Sequence, residues 1–242
     1  MYSDWTTTFF NGLAVEFWVN VAPPPSAAEI AFLQSIFGDC HELLDVACGA
    51  GRYTIPLFHA GYAMTGVDLS DDFLNVARQR EPRIDWHRGD VRALPWRGRF
   101  DGALCFGNSF GYFPREETRP FLRGVAQTLK PGAAFVLESG ATAESLLPSL
   151  VRERTMQAGA IAFSSVARYD AKASVLEVEY TFAKGEVRET KTASTTIFTA
   201  GEVGAMLREA GFAEVDVYAS AARDEFVVGA QRAIFVARMP KA

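Results

Sequence analysis

The chain has 242 residues, 49% of them hydrophobic and 22% charged, which is enough for one well-filled α/β domain and ordinary for a water-soluble globular protein. Its net charge of −5 gives no electrostatic reason to expect nucleic acid or an anionic membrane as a partner. The three cysteines, Cys40, Cys48 and Cys105, form no CxxC or Cys/His cluster, which predicts reduced packing residues, no disulfide framework and no metal.

The N-terminal region predicts helices and no targeting segment. The first ten residues contain neither a basic region nor a long apolar stretch, so we expect no signal peptide. No apolar run approaches the roughly 18 residues of a membrane span, and we therefore expect a cytoplasmic protein. The aromatic-rich segment 5–20 is predicted to be partly helical, and Ser26, after three prolines, is a good N-cap for a second helix.

From Leu43 onward, short apolar runs alternate with helix-length stretches. The predicted strands are 42–47, 63–68, 84–88, 100–106 and 133–138. The predicted helices between them are 52–60, 71–80 and 117–129. Such alternation predicts parallel strands joined by right-handed crossovers, which is an α/β fold.

The pattern changes after residue 150. Three segments alternate polar with apolar residues and are separated by turn signals, which predicts antiparallel strands at 160–169, 174–183 and 187–198. Thr199 and Glu202 form a capping box for a helix ending before Gly211. Two closing strands are predicted near 214–218 and 231–238.

The segment 43–70 is the most informative one. An apolar run ends in Asp45, a turn with Ala47, Gly49 and Gly51 follows, and a second apolar run ends in Asp68. This is the strand–turn–helix–strand unit that binds nucleoside cofactors. The carboxylate of Asp45 at the turn repels a pyrophosphate but attracts an ammonium or a sulfonium, which argues for S-adenosylmethionine over NAD, FAD or ATP.

These motifs resemble those of the class I S-adenosylmethionine-dependent methyltransferases. The resemblance includes Gly89-Asp90-Val91 and Leu129 to Gly132, and it covers roughly residues 35–140. It implies a Rossmann-like, seven-stranded, mostly parallel sheet of order 3-2-1-4-5-7-6. It also implies that S-adenosylmethionine is the methyl donor and that S-adenosylhomocysteine is what remains of it after transfer. It also implies N-terminal helices, and the antiparallel strands then form a sheet inserted after strand 5. A Rossmann-type domain with another ligand is the alternative.

We expect the chain to form a single domain with four parts. These are an N-terminal helical cap (1–40), a cofactor-binding core (41–140), an inserted sheet (150–198), and a C-terminal helix with a strand hairpin (199–242).

The glycine turn is predicted to contact the methionyl end of the cofactor. Ala47, Gly49 and Gly51 form the turn, whose glycines let the backbone approach a ligand closely. The next helix leaves N–H groups free for the methionyl carboxylate. Arg52 either adds a salt bridge to that carboxylate or is a plain surface arginine.

Acidic residues are predicted to bind the ammonium and the nucleoside. Asp45 receives the methionyl ammonium directly or through water, and Asp68 accepts hydrogen bonds from the ribose hydroxyls or merely caps the next helix. Leu69 packs on the adenine face. Asp90 and Val91 resemble the family residues that contact the adenine amino group and ring, although an aspartate in a turn is also common.

The segment after the fourth strand is predicted to border the reactive methyl. Its Gly-Asn-Ser-Phe run resembles that of glycine N-methyltransferases and related bacterial small-molecule methyltransferases. The carbonyl of Phe106 is expected to bond the methionyl ammonium, and Asn108, Tyr112 and Phe113 are candidates for acceptor contact. The alternative is that Phe113 belongs to the core and Asn108 only shapes the turn.

The N-terminal aromatics have two interpretations. These aromatics are Trp5, Phe9, Phe10, Phe17 and Trp18. They either pack the first helix onto the sheet or form a lid that uses cation–π attraction. Trp18 is the one we assign to the acceptor site.

No catalytic base is assigned. His41, His59 and His87 are each expected to be structural or on the surface. A sulfonium is already activated, so in-line displacement gains mainly from proximity and alignment.

The sequence therefore predicts a methyltransferase acting on N or O of a small-molecule metabolite. The alternatives are a non-catalytic S-adenosylmethionine-binding protein and a protein or RNA methyltransferase. The inserted sheet is expected to cover the acceptor pocket, and its edge to pair with a second copy in a homodimer.

Overall fold

The computed structural model describes residues 5–241. The helices are α1 (Thr6–Phe9), α2 (Gly12–Val21), α3 (Ala27–Phe37), α4 (Thr54–His59), α5 (Asp71–Arg80), α6 (Arg115–Thr128), α7 (Ala143–Leu146) and α8 (Ala200–Glu209). The strands are β1 (Glu42–Val46), β2 (Ala63–Asp68), β3 (Asp85–Arg88), β4 (Phe100–Cys105), β5 (Leu129–Ser139), β6 (Glu153–Ala158), β7 (Ile161–Asp170), β8 (Val175–Lys184), β9 (Val187–Thr196), β10 (Glu214–Tyr218) and β11 (Ala233–Arg238).

The large sheet has seven strands in the order β3-β2-β1-β4-β5-β11-β10. The first five run parallel, whereas β11 is antiparallel to both β5 and β10. The predicted order 3-2-1-4-5-7-6 is confirmed, with β10 and β11 as its sixth and seventh strands. Because parallel strands end at the same edge, Val46, Asp68 and Cys105 lie close together where β1, β2 and β4 finish.

Strand β5 is longer than predicted. It begins at Leu129, which pairs with Phe100, and a register shift follows before Ala134 pairs with Gly102. Pro131 and Gly132 therefore lie within an irregular part of the strand and not in a loop ahead of it.

The inserted sheet has four antiparallel strands in the order β6-β7-β8-β9, so the prediction of three was wrong. The missed strand is β6, at the edge of this sheet, where Glu153 to Gln157 are all exposed. With neither face of these residues buried, the segment carries no alternating pattern that sequence analysis can detect. Pairing of a second copy along a sheet edge stays a prediction.

Helix ends follow the predicted caps. Ser26 and Thr199 each form a capping box, with Glu29 and Glu202 as the reciprocal partners. The Ser70 hydroxyl accepts a hydrogen bond from the Phe73 N–H and so starts α5. These side chains pair backbone N–H groups that a helix leaves without partners.

The large sheet is covered on both faces. One face packs on α6 and α8 through buried residues that include Phe121 and Leu207. The other packs on α3, α4 and α5, where Leu33 and Leu74 are fully buried.

A third cluster joins α1 and α2 to the inserted sheet. Phe17 stacks on Phe163 of β7 with ring centroids 4.4 Å apart, and Phe182 of β8 is fully buried beside them. The N-terminal aromatics Trp5, Phe9 and Phe17 are therefore packing residues.

Within residues 5–241, no helix is both long and apolar enough to cross a membrane. No three or more His, Cys, Asp or Glu side chains in this part of the chain are grouped as a metal site.

Gly102 in β4 tests the packing between the sheet and α3. A Cβ atom at this position would lie 2.7 Å from Phe37 Cδ1 and 2.9 Å from Leu43 Cδ2. We expect Gly102→Ala to lower the free energy of unfolding by about 1–3 kcal/mol in urea titrations. Gly124 in α6 has nothing within 4 Å of its Cβ position, so Gly124→Ala is the matched control and should be neutral or stabilising. Equal stability of the two variants would contradict this packing.

Candidate active site

A cavity of about 750 Å³ opens at the edge where β1, β2 and β4 end. One part of its wall, which we name the donor half, comprises residues 47–52 together with Asp68, Leu69, Asp90 and Val91. Another part, named the aromatic half, comprises Phe10, Trp18, Tyr112, Phe113 and Tyr180. A volume of this size holds a nucleoside cofactor together with a small acceptor.

The glycine turn of the donor half has left-handed backbone conformations. Ala47, Gly49 and Gly51 have φ values of 58°, 55° and 80°. A Cβ atom at Gly51 would lie 2.7 Å from the Trp86 ring, whereas one at Gly49 would meet nothing within 4 Å. Gly51 is therefore required by packing, and Gly49 leaves the backbone open to a ligand in the cavity.

The carboxylate of Asp68 stabilises this turn. It accepts a hydrogen bond from the Gly49 N–H at 2.8 Å and another from the Ser70 N–H at 2.9 Å. Burial raises its pKa in spite of these donors. A carboxylate has about four acceptor positions, so oxygen lone pairs remain for a ligand in the cavity.

Asp45 lies behind the wall. Of the predicted site residues, it is the one that does not line the cavity. It is 2% exposed, and its carboxylate accepts a hydrogen bond of 2.6 Å from the Thr54 hydroxyl. Burial, together with the negative charge of Asp68, raises its pKa to about 7. A role of Asp45 toward an ammonium therefore stays a prediction.

Asp90 lines the cavity beside Val91 and is held by an arginine that sequence analysis did not single out. The Arg92 guanidinium donates hydrogen bonds to both carboxylate oxygens of Asp90, and its Nη1 donates to the Glu117 carboxylate at 2.7 Å. The same guanidinium lies 5.0 Å from the Phe113 ring centroid. Asp90 therefore has a fixed orientation.

The loop after β4 is tied to the end of β5. Gly107 and Asn108 have φ values of 101° and 65°, and the Gly107 N–H donates to Glu138 at 2.9 Å. The Asn108 side-chain oxygen accepts from the Gly140 N–H. Phe106 and Asn108 both line the cavity. Glu138 was missed, because a carboxylate inside an apolar strand carries no local signal of a partner in a distant loop.

A second, polar cavity of about 580 Å³ adjoins the first. Its walls include Glu29 and Arg232, which form an ion pair at 2.7 Å, and the buried Glu138, whose pKa is raised by burial. Arg52 lines both cavities. Its Nε donates to the Pro23 carbonyl, and the guanidinium stacks 4.9 Å from the Tyr53 ring centroid.

The aromatic half combines predicted and unpredicted residues. Trp18, Tyr112 and Phe113 line it as predicted, whereas Phe10 and Tyr180 were not assigned to the site. Tyr180 comes from β8, so the inserted sheet reaches the cavity. Strand alternation places Tyr180 on the same face as Val178 and Phe182, but which face meets the cavity depends on packing that the sequence does not display.

The charged groups of the cavity are few. Among its described wall residues, the carboxylates are Asp68 and Asp90, and the three histidines lie elsewhere. Both carboxylates belong to the donor half. The aromatic half as defined above therefore contains no carboxylate and no imidazole.

Comparisons with known proteins find methyltransferases among the similar sequences. Residues 43–132 match the family described as "Methyltransferase domain". Glycine N-methyltransferase of Rattus norvegicus is 35% identical over 118 residues, covering 41% of this chain and 40% of that protein. The dTDP-3-amino-3,6-dideoxy-alpha-D-glucopyranose N,N-dimethyltransferase of Streptomyces fradiae is 30% identical over 163 residues, covering 65% of this chain and 64% of its own length.

A solved structure shows the same fold over the whole chain. The CcbJ methyltransferase from Streptomyces caelestis superposes with a TM-score of 0.81 over 99% of this chain and 100% of its own, at 19% identity. The chain spans less than two thirds of the curated relatives it matches, with 40% and 64% of their lengths covered. Residues 43–132 therefore match a methyltransferase domain, and the resemblance drawn from the motifs is confirmed.

The buried carboxyl of Asp45 generates a prediction for stability against pH. Its folded pKa of about 7 exceeds the ordinary value of 3.8, so the folded state binds more protons between these values. Stability from this group is therefore lost as pH rises toward 7. Asp45→Asn removes the ionisation and should gain on the order of 1–2 kcal/mol relative to the unaltered protein between about pH 5.5 and pH 8. Thermal unfolding of both proteins measures this difference, and a difference that stays constant with pH would contradict it.

Proposed function

We propose that the protein transfers a methyl group from S-adenosylmethionine to a nitrogen atom of a small-molecule acceptor. The observation that carries the proposal is the meeting of a glycine turn, two carboxylates and an aromatic wall around one cavity of about 750 Å³. Nitrogen is favoured over oxygen because the relatives described above are named as N-methyltransferases.

The donor half suits the cofactor in shape and in charge. The open Cβ position of Gly49 leaves space for close backbone approach, and the Asp68 carboxylate faces the same cavity. A carboxylate accepts hydrogen bonds from ribose hydroxyls and disfavours a phosphate, which agrees with a nucleoside that carries a sulfonium. Asp90, oriented by Arg92, is the acceptor for an adenine amino group, with Val91 and Leu69 against the ring.

The remaining groups contribute positioning. S-adenosylmethionine, when bound, supplies an activated methyl group on a sulfonium. Gly107 and Asn108, held by Glu138 and by the Gly140 N–H, belong to the loop from which Phe106 and Asn108 line the cavity. The aromatic half excludes water from the acceptor. Since no carboxylate or imidazole lines that half, we expect the amine to enter deprotonated.

A non-catalytic binding protein is the alternative from another class. It would retain the donor half and need no acceptor site. The aromatic half weighs against it, because three separate parts of the chain (α2, the loop after β4, and β8) contribute rings to one wall.

Asp68→Ala tests the cofactor site. Loss of charge-assisted hydrogen bonds, each worth about 1.5–3 kcal/mol, should weaken S-adenosylhomocysteine binding at least about tenfold in calorimetry. Asp71→Ala is the matched control, since Asp71 is an exposed carboxylate paired with Arg88 and lies outside the cavity. The unaltered protein should bind S-adenosylhomocysteine and not NAD. Unchanged affinity in Asp68→Ala, or tight binding of NAD, would contradict the assignment.

A further inference from the structure

Charge is segregated within the main cavity. Four charged side chains are among its described wall residues, namely Arg52, Asp68, Arg80 and Asp90. All four come from the glycine turn, the end of β2, the end of α5 or the turn after β3, which is the donor side. The aromatic half contributes no charged side chain. An acceptor with a phosphate or carboxylate placed there would lose hydration without gaining a cation.

The rings of the aromatic half hold each other in fixed orientations. Phe10 stacks on Tyr112 with centroids 5.9 Å apart and an interplanar angle of 30°. Tyr112 also meets Trp5 edge-on at 4.8 Å, and Trp18 meets Tyr180 edge-on at 6.4 Å. Because each ring is packed against another, the wall is preformed and suits a flat apolar body.

We propose that the aromatic half is the acceptor site and that it takes an uncharged, flat, apolar amine. This inference rests on the proposed function. Glycine is zwitterionic and dTDP-linked amino sugars are anionic, so the proposed acceptor differs in charge from the compounds for which these relatives are named. During transfer the amine nitrogen gains a bond to the methyl carbon as the carbon–sulfur bond breaks, and the nitrogen then releases its proton to water. The π faces of the wall stabilise the positive charge that arrives on nitrogen.

The test uses the full chain saturated with S-adenosylhomocysteine and three probes in calorimetry at about pH 8. The probes are 6-aminoquinoline, a flat amine with a ring nitrogen, thymidine diphosphate and glycine. We expect 6-aminoquinoline to bind at least about tenfold more tightly than either of the others, because only it matches an uncharged wall.

Variants locate the site. Tyr180→Leu should weaken 6-aminoquinoline binding at least about tenfold. Tyr169→Leu is the matched control, because Tyr169 lies on the same inserted sheet but is not among the described wall residues of the cavity. S-adenosylhomocysteine affinity should be unchanged in both variants.

The outcomes that overturn the inference are distinct from those that overturn the function. Tighter binding of thymidine diphosphate or glycine, or unchanged 6-aminoquinoline affinity in Tyr180→Leu, would overturn the inference alone while S-adenosylhomocysteine still binds. Absence of S-adenosylhomocysteine binding by the unaltered protein would overturn the proposed function and this inference with it.

Discussion

The carboxylate of Asp68 accepts hydrogen bonds from the N–H groups of Gly49 and Ser70, and the Ser70 hydroxyl in turn donates to the Phe10 carbonyl at 2.6 Å. This short chain of contacts joins the glycine turn, the end of β2 and the segment between α1 and α2. The side chains of Asp68 and Ser70 thereby connect the donor half to Phe10 of the aromatic half. A buried carboxylate is costly unless hydrogen-bonded, so the two N–H donors stabilise both the charge and the turn that provides one of them.

The aromatic half depends on packing remote from the cofactor. Phe17 and Phe163 join α2 to the inserted sheet, which brings Trp18 and Tyr180 to the same wall. The donor half uses segments close in sequence, whereas the aromatic half collects rings from the N-terminal helices, the loop after β4 and β8. The two halves of the cavity therefore come from different parts of the chain and are joined through Asp68 and Ser70.

Local signals explain what the sequence could predict. The core strands and the caps at Ser26, Ser70 and Thr199 follow from apolar runs and short-range hydrogen bonds, and the family resemblance supplies the order of the sheet. Edge strand β6 was missed because it buries almost nothing, and Tyr180 because its face is set by tertiary packing. Arg92 and Glu138 were missed because their partners lie across loops. The burial of Asp45 behind the cavity wall likewise depends on the folded arrangement of β1 and α4.

A labelling experiment can show whether the cavity performs methyl transfer. The protein is incubated with S-adenosylmethionine carrying a deuterated methyl group and with a fractionated metabolite extract, and products are analysed by mass spectrometry. The account predicts formation of S-adenosylhomocysteine together with a small molecule that carries the labelled methyl on nitrogen. Tight cofactor binding without S-adenosylhomocysteine formation in any fraction would contradict it and would favour a binding protein without catalysis.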